Sequence, residues 1–126
     1  MSKSILIIDD EEDVKEIAQM GLEMAANWNV ITASSGKEGL SLAETNQPEV
    51  ILLDLMMPDW DGKETLKQLK ANQNTANIPV ILMTAKTQSA IATELTELGL
   101  VGIITKPFRP FQLPEQIAEI LNKNNK

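Results

Sequence analysis

The sequence predicts a three-layer α/β sandwich: a doubly wound sheet of five parallel strands in the order 2-1-3-4-5, with helices on both faces. Three observations lead there. Short aliphatic runs at 5–8, 50–53 and 79–83 have the look of strands buried on both sides. Segments with apolar residues at helical spacing lie between them. The regular alternation of five strand-helix units requires parallel pairing, because each helix must return the chain to start the next strand in the same direction, by right-handed crossovers. The order 2-1-3-4-5 is the usual arrangement at five strands.

Strand one, 5–8, stops at Asp9-Asp10. From Asp13 the pattern becomes helical, with Val14, Ile17, Ala18, Gly21, Leu22 and Ala25 on one face and acidic residues crowding the first turn, where the helix dipole favours them. A weaker strand at 30–33 follows. Ser34-Ser35-Gly36 then leads into a helix carrying Leu40 and Ala43, ended by Asn46-Gln47-Pro48. Strand three, 50–53, ends on Asp54, ahead of the turn-rich stretch Met57-Pro58-Asp59-Trp60-Asp61-Gly62 and a third helix to about Asn72. Strand four, 79–83, is closed by Thr84, and a helix of lower hydrophobic contrast is expected from about Ser89 to Leu98. Strand five, 102–105, reads as shorter than the others. Leu113, Ile117, Ile120 and Leu121 line the last helix, where Pro114 is tolerated because it falls in the first turn. The end from Asn122 to Lys126 is expected to fray.

At 126 residues the chain is the size of one domain, taken as 1–126 with an ordered core of about 4–122 and a polar tail at 123–126. The initiator methionine and that polar tail argue for a complete, stand-alone chain. With 43% hydrophobic and 23% charged residues a packed core is expected. The net charge of −7 disfavours direct binding to nucleic acid or an anionic membrane, so a protein partner is the better expectation. The absence of cysteine removes thiol chemistry and fits a reducing, cytoplasmic setting; the absence of histidine removes catalytic triads and histidine metal sites. No stretch near the N-terminus is long enough for a signal-peptide core or a membrane span.

In doubly wound sheets ligands sit beyond the carboxyl ends of the strands, where the order reverses. The strand ends supply Asp9 and Asp10 after strand one, Asp54 after strand three, Thr84 after strand four and Lys106 after strand five. Three carboxylates within roughly 5 Å would repel by about 3 kcal/mol per pair at an effective dielectric near 20. Lys106 supplies one compensating charge, and the remaining oxygen donors suit a hard divalent ion such as Mg²⁺. Asp54, between the acidic pair and the lysine, is then placed as a nucleophile toward phosphorus, with Lys106 and the Thr84 hydroxyl holding oxygens of the transferred group.

The runs Ile7-Ile8-Asp9-Asp10-Glu11, Asp54-Leu55-Met56-Met57-Pro58-Asp59-Trp60-Asp61-Gly62, Met83-Thr84-Ala85 and Thr105-Lys106-Pro107-Phe108 resemble, in order and spacing, the motif set of response regulator receiver domains. The resemblance spans essentially the whole chain and implies the flavodoxin-like fold of receiver type. It implies that Asp10 and Asp54 ligate Mg²⁺ directly together with the Met56 backbone carbonyl, and that Asp9 acts through a water. Asp54 would carry an acyl phosphate taken from a histidine kinase or a histidine phosphotransfer protein. Lys106 would contact the phosphoryl group, Thr84 would be the switch residue, and Lys106-Pro107 would be a cis peptide. Output would pass to a protein target, or to a weak homodimer, through helix four, strand five and helix five. The chain would assist its own phosphorylation and dephosphorylation without turning over external substrates, so it is not expected to be an enzyme.

One departure stands out. Receivers usually carry an aromatic residue three positions before the lysine, and here that position is Ile103. This leaves open a phosphorylation-independent interaction module that keeps the fold. An aspartyl-phosphate phosphatase fits less well, since such enzymes carry the nucleophile on strand one with a second aspartate two residues on. An FMN protein fits least, because the loop after strand one is acidic. Taken singly, Asp9-Asp10 also reads as a helix cap, Asp61-Gly62 as a turn, Trp60 as loop packing and the methionines as core filler. Met56 and Lys86, two residues beyond Asp54 and Thr84, are expected to tune water access.

Overall fold

The computed structural model describes residues 3–85 and 94–123. Five strands, β1 (Ser4–Ile8), β2 (Asn29–Ala33), β3 (Val50–Asp54), β4 (Val80–Ala85) and β5 (Gly102–Lys106), pair in parallel in the order β2-β1-β3-β4-β5. Between them run α1 (Glu12–Ala26), α2 (Gly36–Asn46), α3 (Gly62–Ala71) and a helical turn at 94–97 (α4). A 3₁₀ turn, Pro110–Gln112, leads into α5 (Leu113–Lys123). The first part of the expected fourth helix, 89–93, lies outside the described residues.

Alternation along the strands builds two cores. Ile5 and Ile7 of β1 face Ala18 and Leu22 of α1 and Leu113 and Ile117 of α5. Leu6 and Ile8 face the opposite way, toward Ala43 of α2, Leu66 and Leu69 of α3 and Leu95 of α4. All four of these aliphatic side chains have no exposed surface. Each contributes roughly 1.5–3 kcal/mol by leaving water, which makes the central strand a rigid platform for the residues at its end.

Local chemistry sets the helix ends. Ser35 caps α2 by accepting from the Glu38 amide, and Asp61 caps α3 by accepting from the Glu64 amide at 2.8 Å. Both α1 and α2 stop on left-handed residues, Asn27 (φ 58°) and Gln47 (φ 47°), with Pro48 next in line.

The strands differ from expectation at their carboxyl ends. Asp54, Thr84 and Lys106 are not beyond their strands but within the ladders, Asp54 beside Met83, Thr84 beside Thr105 and Lys106 beside Ala85. A polar side chain ends a hydrophobic pattern without ending backbone pairing, so the sequence places these boundaries early. For the same reason β5 is five residues long, equal to β1 rather than shorter. At the C-terminus, Asn122 and Lys123 belong to α5 and not to a frayed tail; residues 124–126 lie outside the described region.

Candidate functional site

The carboxyl rim of β1, β3 and β5 gathers the charged groups. Asp9 leaves β1 with its amide still donating to the Ala33 carbonyl at 3.0 Å, and its side chain is fully buried. Asp54, on the last residue of β3, is 5% exposed. Lys106 reaches back from β5, its Nζ lying 2.9 Å from Asp54 Oδ1, 3.0 Å from Asp9 Oδ2 and 3.9 Å from Glu11 Oε1. The second Asp9 oxygen, Oδ1, accepts from the Glu11 amide at 2.9 Å. Both oxygens of Asp9 are therefore engaged by the protein itself.

Carboxylate oxygens of Asp9, Glu11 and Asp54 lie within 4.8 Å of one another. Asp10, expected among the converging carboxylates, is outside this group and exposed. Successive side chains on extended backbone point to opposite sides, so turning Asp9 inward sends Asp10 outward. Its charge still reaches Asp54. Glu11 stands in the first motif run, but sequence alone assigns it no place at the site. The available signal was local: an aspartate side chain readily accepts from the amide two residues on, which turns Glu11 toward the rim.

The two central groups titrate in the same direction for different reasons. Burial pushes the Asp54 carboxyl above its usual range; the hydrogen bond and charge of Lys106 oppose this, while the charges of Asp9 and Asp10 add to it. Burial works against the Lys106 ammonium, but its bonds to Asp54 and Asp9, with their charges, outweigh that and hold its pKa above the ordinary lysine value. Lys106 is accordingly a fixed cation, and Asp54 the group with an energetic reason to acquire a new partner.

The remaining predicted positions fall around this centre. Thr84 is buried at the end of β4, and the Lys106–Pro107 peptide is cis. Met56 projects outward, 65% exposed. Ile103, beside Leu82 on β5, is 40% exposed on the sheet face that α2 and α3 cover. Lys86 lies outside the described residues. Gly62 folds the loop back: its amide donates to the Leu55 carbonyl at 2.7 Å, and a Cβ there would come within 2.8 Å of the Asp54 carbonyl oxygen. An apolar cleft of about 300 Å³, lined by Val14, Ile17, Pro107 and Phe108, opens beside Glu11 and Lys106.

Comparison with known proteins decides what this arrangement belongs to. Residues 5–118 match the family model described as the response regulator receiver domain. The chain is a response regulator receiver. The receiver is 40% identical over 124 residues to the alkaline phosphatase synthesis transcriptional regulatory protein PhoP of Bacillus subtilis, covering 98% of this chain and 50% of that protein. It is 33% identical over 123 residues to the phosphate regulon transcriptional regulatory protein PhoB of Pseudomonas aeruginosa, covering 98% of this chain and 53% of the relative. The chain thus spans about half the length of the curated relatives it matches. Among solved structures it superposes on the chemotaxis protein CheY4 of Vibrio cholerae with a TM-score of 0.88 at 26% identity, over 95% of this receiver and 99% of that chain. The Francisella response regulator 1452 receiver domain gives a TM-score of 0.84 at 30% identity, over 98% and 100%. The five-stranded 2-1-3-4-5 sheet is the fold these receivers share. No helix among the described residues is long and apolar enough to cross a membrane.

Proposed function

We propose that this receiver takes a phosphoryl group onto Asp54 from the phosphohistidine of a kinase or phosphotransfer partner and passes the signal on by a protein contact. The observation that carries the reading is the bridge from Lys106 to both Asp54 and Asp9, set beside a group of carboxylates that one ammonium cannot neutralise. In the transfer, an Asp54 oxygen forms the bond to phosphorus as the phosphorus–nitrogen bond of the donor breaks. The electron pair leaves with the donor imidazole. Asp54 needs no general base, since it reacts as the carboxylate. Lys106 neutralises charge on the phosphoryl oxygens, and the Thr84 hydroxyl, at the adjacent strand end, supplies a further donor.

The donor set fits Mg²⁺: it is all oxygen, anionic and partly open to solvent. On the receiver pattern Asp54, Asp10 and the Met56 carbonyl would hold the ion directly and Asp9 through a water. That requires Asp10, outside the carboxylate group here, to turn toward the ion, while Glu11 already adds a carboxylate nearby. Bound there, it would supply the positive charge that the transferred oxygens require. The apolar cleft beside Lys106 gives a histidine-bearing partner a surface to rest on next to Asp54. Signalling would use α4, β5 and α5, either toward a protein target or toward a second copy. The net charge of −7 argues against direct contact between these residues and nucleic acid, and a cytoplasmic setting suits a kinase partner. The receiver would assist its own phosphorylation and dephosphorylation and turn over no external ester.

Incubation with acetyl phosphate and Mg²⁺, followed by intact mass, tests the reading. One added phosphoryl group is expected, absent from Asp54→Ala and absent in chelator. An unmodified wild type would instead favour a phosphorylation-independent module, the alternative that Ile103 on β5 supports, and an unchanged adduct in the variant would remove Asp54 as the acceptor.

A further inference from the structure

The loop that leaves Asp54, residues 55–61, has no regular structure of its own; its last residue, Asp61, caps α3, and two further contacts hold the rest. At its base, Gly62 bonds back to Leu55. At its tip, the Asp59 carboxylate accepts from the Gly36 amide at 3.3 Å and the Lys37 amide at 3.4 Å, the first two amides of α2. Amides in a first helical turn have no intrahelical partner and carry the positive end of the dipole. Ser35 serves only the third, that of Glu38, at 3.2 Å. Helix α2 therefore completes its cap with a side chain borrowed from the phosphoacceptor loop.

Neighbouring contacts make this a clasp. The Lys37 ammonium lies 5.8 Å from the Trp60 ring centroid. A Cβ on Gly36 would meet Thr65 Oγ1 at 2.2 Å and Trp60 Cβ at 3.0 Å, so α2 comes against the loop and the start of α3 with no room to spare. The loop also borders an open cleft of about 540 Å³, lined by Met57, Asp59, Trp60, Lys63 and Lys67 among others, so solvent reaches it beside the clasp. The Asp59 carboxyl is held below the usual range: burial raises it, but bonds from the amides of Trp60, Lys37 and Gly36 outweigh that.

We propose that Asp59 is a positioning residue: by clasping the first turn of α2 it fixes the loop at 55–61, and with it the Met56 carbonyl meant to hold the cation beside Asp54. This rests on the proposed Mg²⁺ site. Freed of the clasp, the loop must be ordered at the moment of binding, and that ordering is subtracted from affinity.

Titration calorimetry of Mg²⁺ into the unphosphorylated full chain tests it. Asp59→Ala is expected to weaken Mg²⁺ binding about tenfold, the low end for residues that orient metal ligands, with Asp59→Asn recovering much of the loss through its remaining oxygen. Ser35→Ala removes the other α2 cap without touching the loop, and is expected to lower the thermal unfolding midpoint while keeping wild-type Mg²⁺ affinity. Equal Mg²⁺ affinity in wild type and Asp59→Ala overturns the clasp, as does an equal weakening in Ser35→Ala. Should Asp59→Ala not fold, Asp59→Ser, whose hydroxyl is too short to reach the Gly36 and Lys37 amides, takes its place in the comparison with Ser35→Ala. A wild type that binds Mg²⁺ yet takes no phosphoryl group sinks the phosphoacceptor reading and leaves the clasp standing; one that binds no Mg²⁺ sinks both.

Discussion

Lys106 Nζ and Asp54 Oδ1 meet at 2.9 Å although β5 and β3 are not neighbours: the lysine stem passes over the end of β4. The same ammonium continues to Asp9 on the far side of β3, at 3.0 Å. One side chain thus ties three strand ends together. Truncating it would leave Asp9 buried without its cation, and removal of one partner from a buried pair typically costs 3–5 kcal/mol. Since Lys106 itself is partly exposed, Lys106→Ala is expected to lose about 2–3 kcal/mol in urea unfolding in chelator, with part of it restored by Mg²⁺. A loss below about 0.5 kcal/mol, the level of an ordinary surface substitution, would show that the ammonium is not what stabilises the rim.

Asp54 gives a pH dependence of definite sign. Its folded pKa lies above the unfolded value near 3.8, so between the two the folded state binds more protons and stability falls as pH rises. An asparagine escapes this loss, and Lys106 keeps Asp9 as its partner in the variant. Thermal melts in chelator should therefore show Asp54→Asn gaining on wild type as pH climbs above about 4, with the advantage complete once Asp54 is ionised in both states. Parallel curves for the two proteins across that range would contradict the assignment of burial as the dominant influence on Asp54.

How much of this was legible beforehand follows from what a linear pattern can carry. Parallel pairing, the two helical layers and the convergence of Asp9, Asp54 and Lys106 follow from alternating runs that end on polar residues, because a parallel sheet brings every carboxyl end to one rim; the order 2-1-3-4-5 rests as much on the resemblance to receivers as on those runs. Which of two adjacent aspartates turns inward depends on how the backbone leaves β1, and hydropathy does not record it. The reach of Asp59 to Gly36 and Lys37 spans 23 and 22 residues and rests on where two loops happen to meet. Strand ends were placed early because polarity was taken as the end of pairing, whereas the ladder continues through Asp54, Thr84 and Lys106.

Gly62 is constrained by backbone rather than by side chains. A methyl group there would lie 2.8 Å from both the Asp54 carbonyl oxygen, at the end of β3, and Leu55 Cα just beyond it. Gly62→Ala is expected to destabilise by about 1–3 kcal/mol, in line with overpacking elsewhere, and to slow acetyl phosphate labelling of Asp54 by displacing the loop that follows it. Wild-type stability together with wild-type labelling would mean that the loop yields freely.

Ile103 concerns output rather than chemistry. On β5 it sits beside Leu82 of β4, 40% exposed, and has no ring to turn inward under the proposed switch at Thr84. Substitution by tyrosine at so exposed a site should change stability by no more than about 0.5 kcal/mol and leave labelling of Asp54 intact. In wild type, amide chemical-shift changes on phosphorylation are expected to stay near the strand-end loops that hold Asp9, Asp54 and Lys106. In Ile103→Tyr they are expected to spread along β5 toward α5, because the ring restores the missing packing change. Large wild-type shifts along Ile103 and α4 would show that the signal already travels by another route.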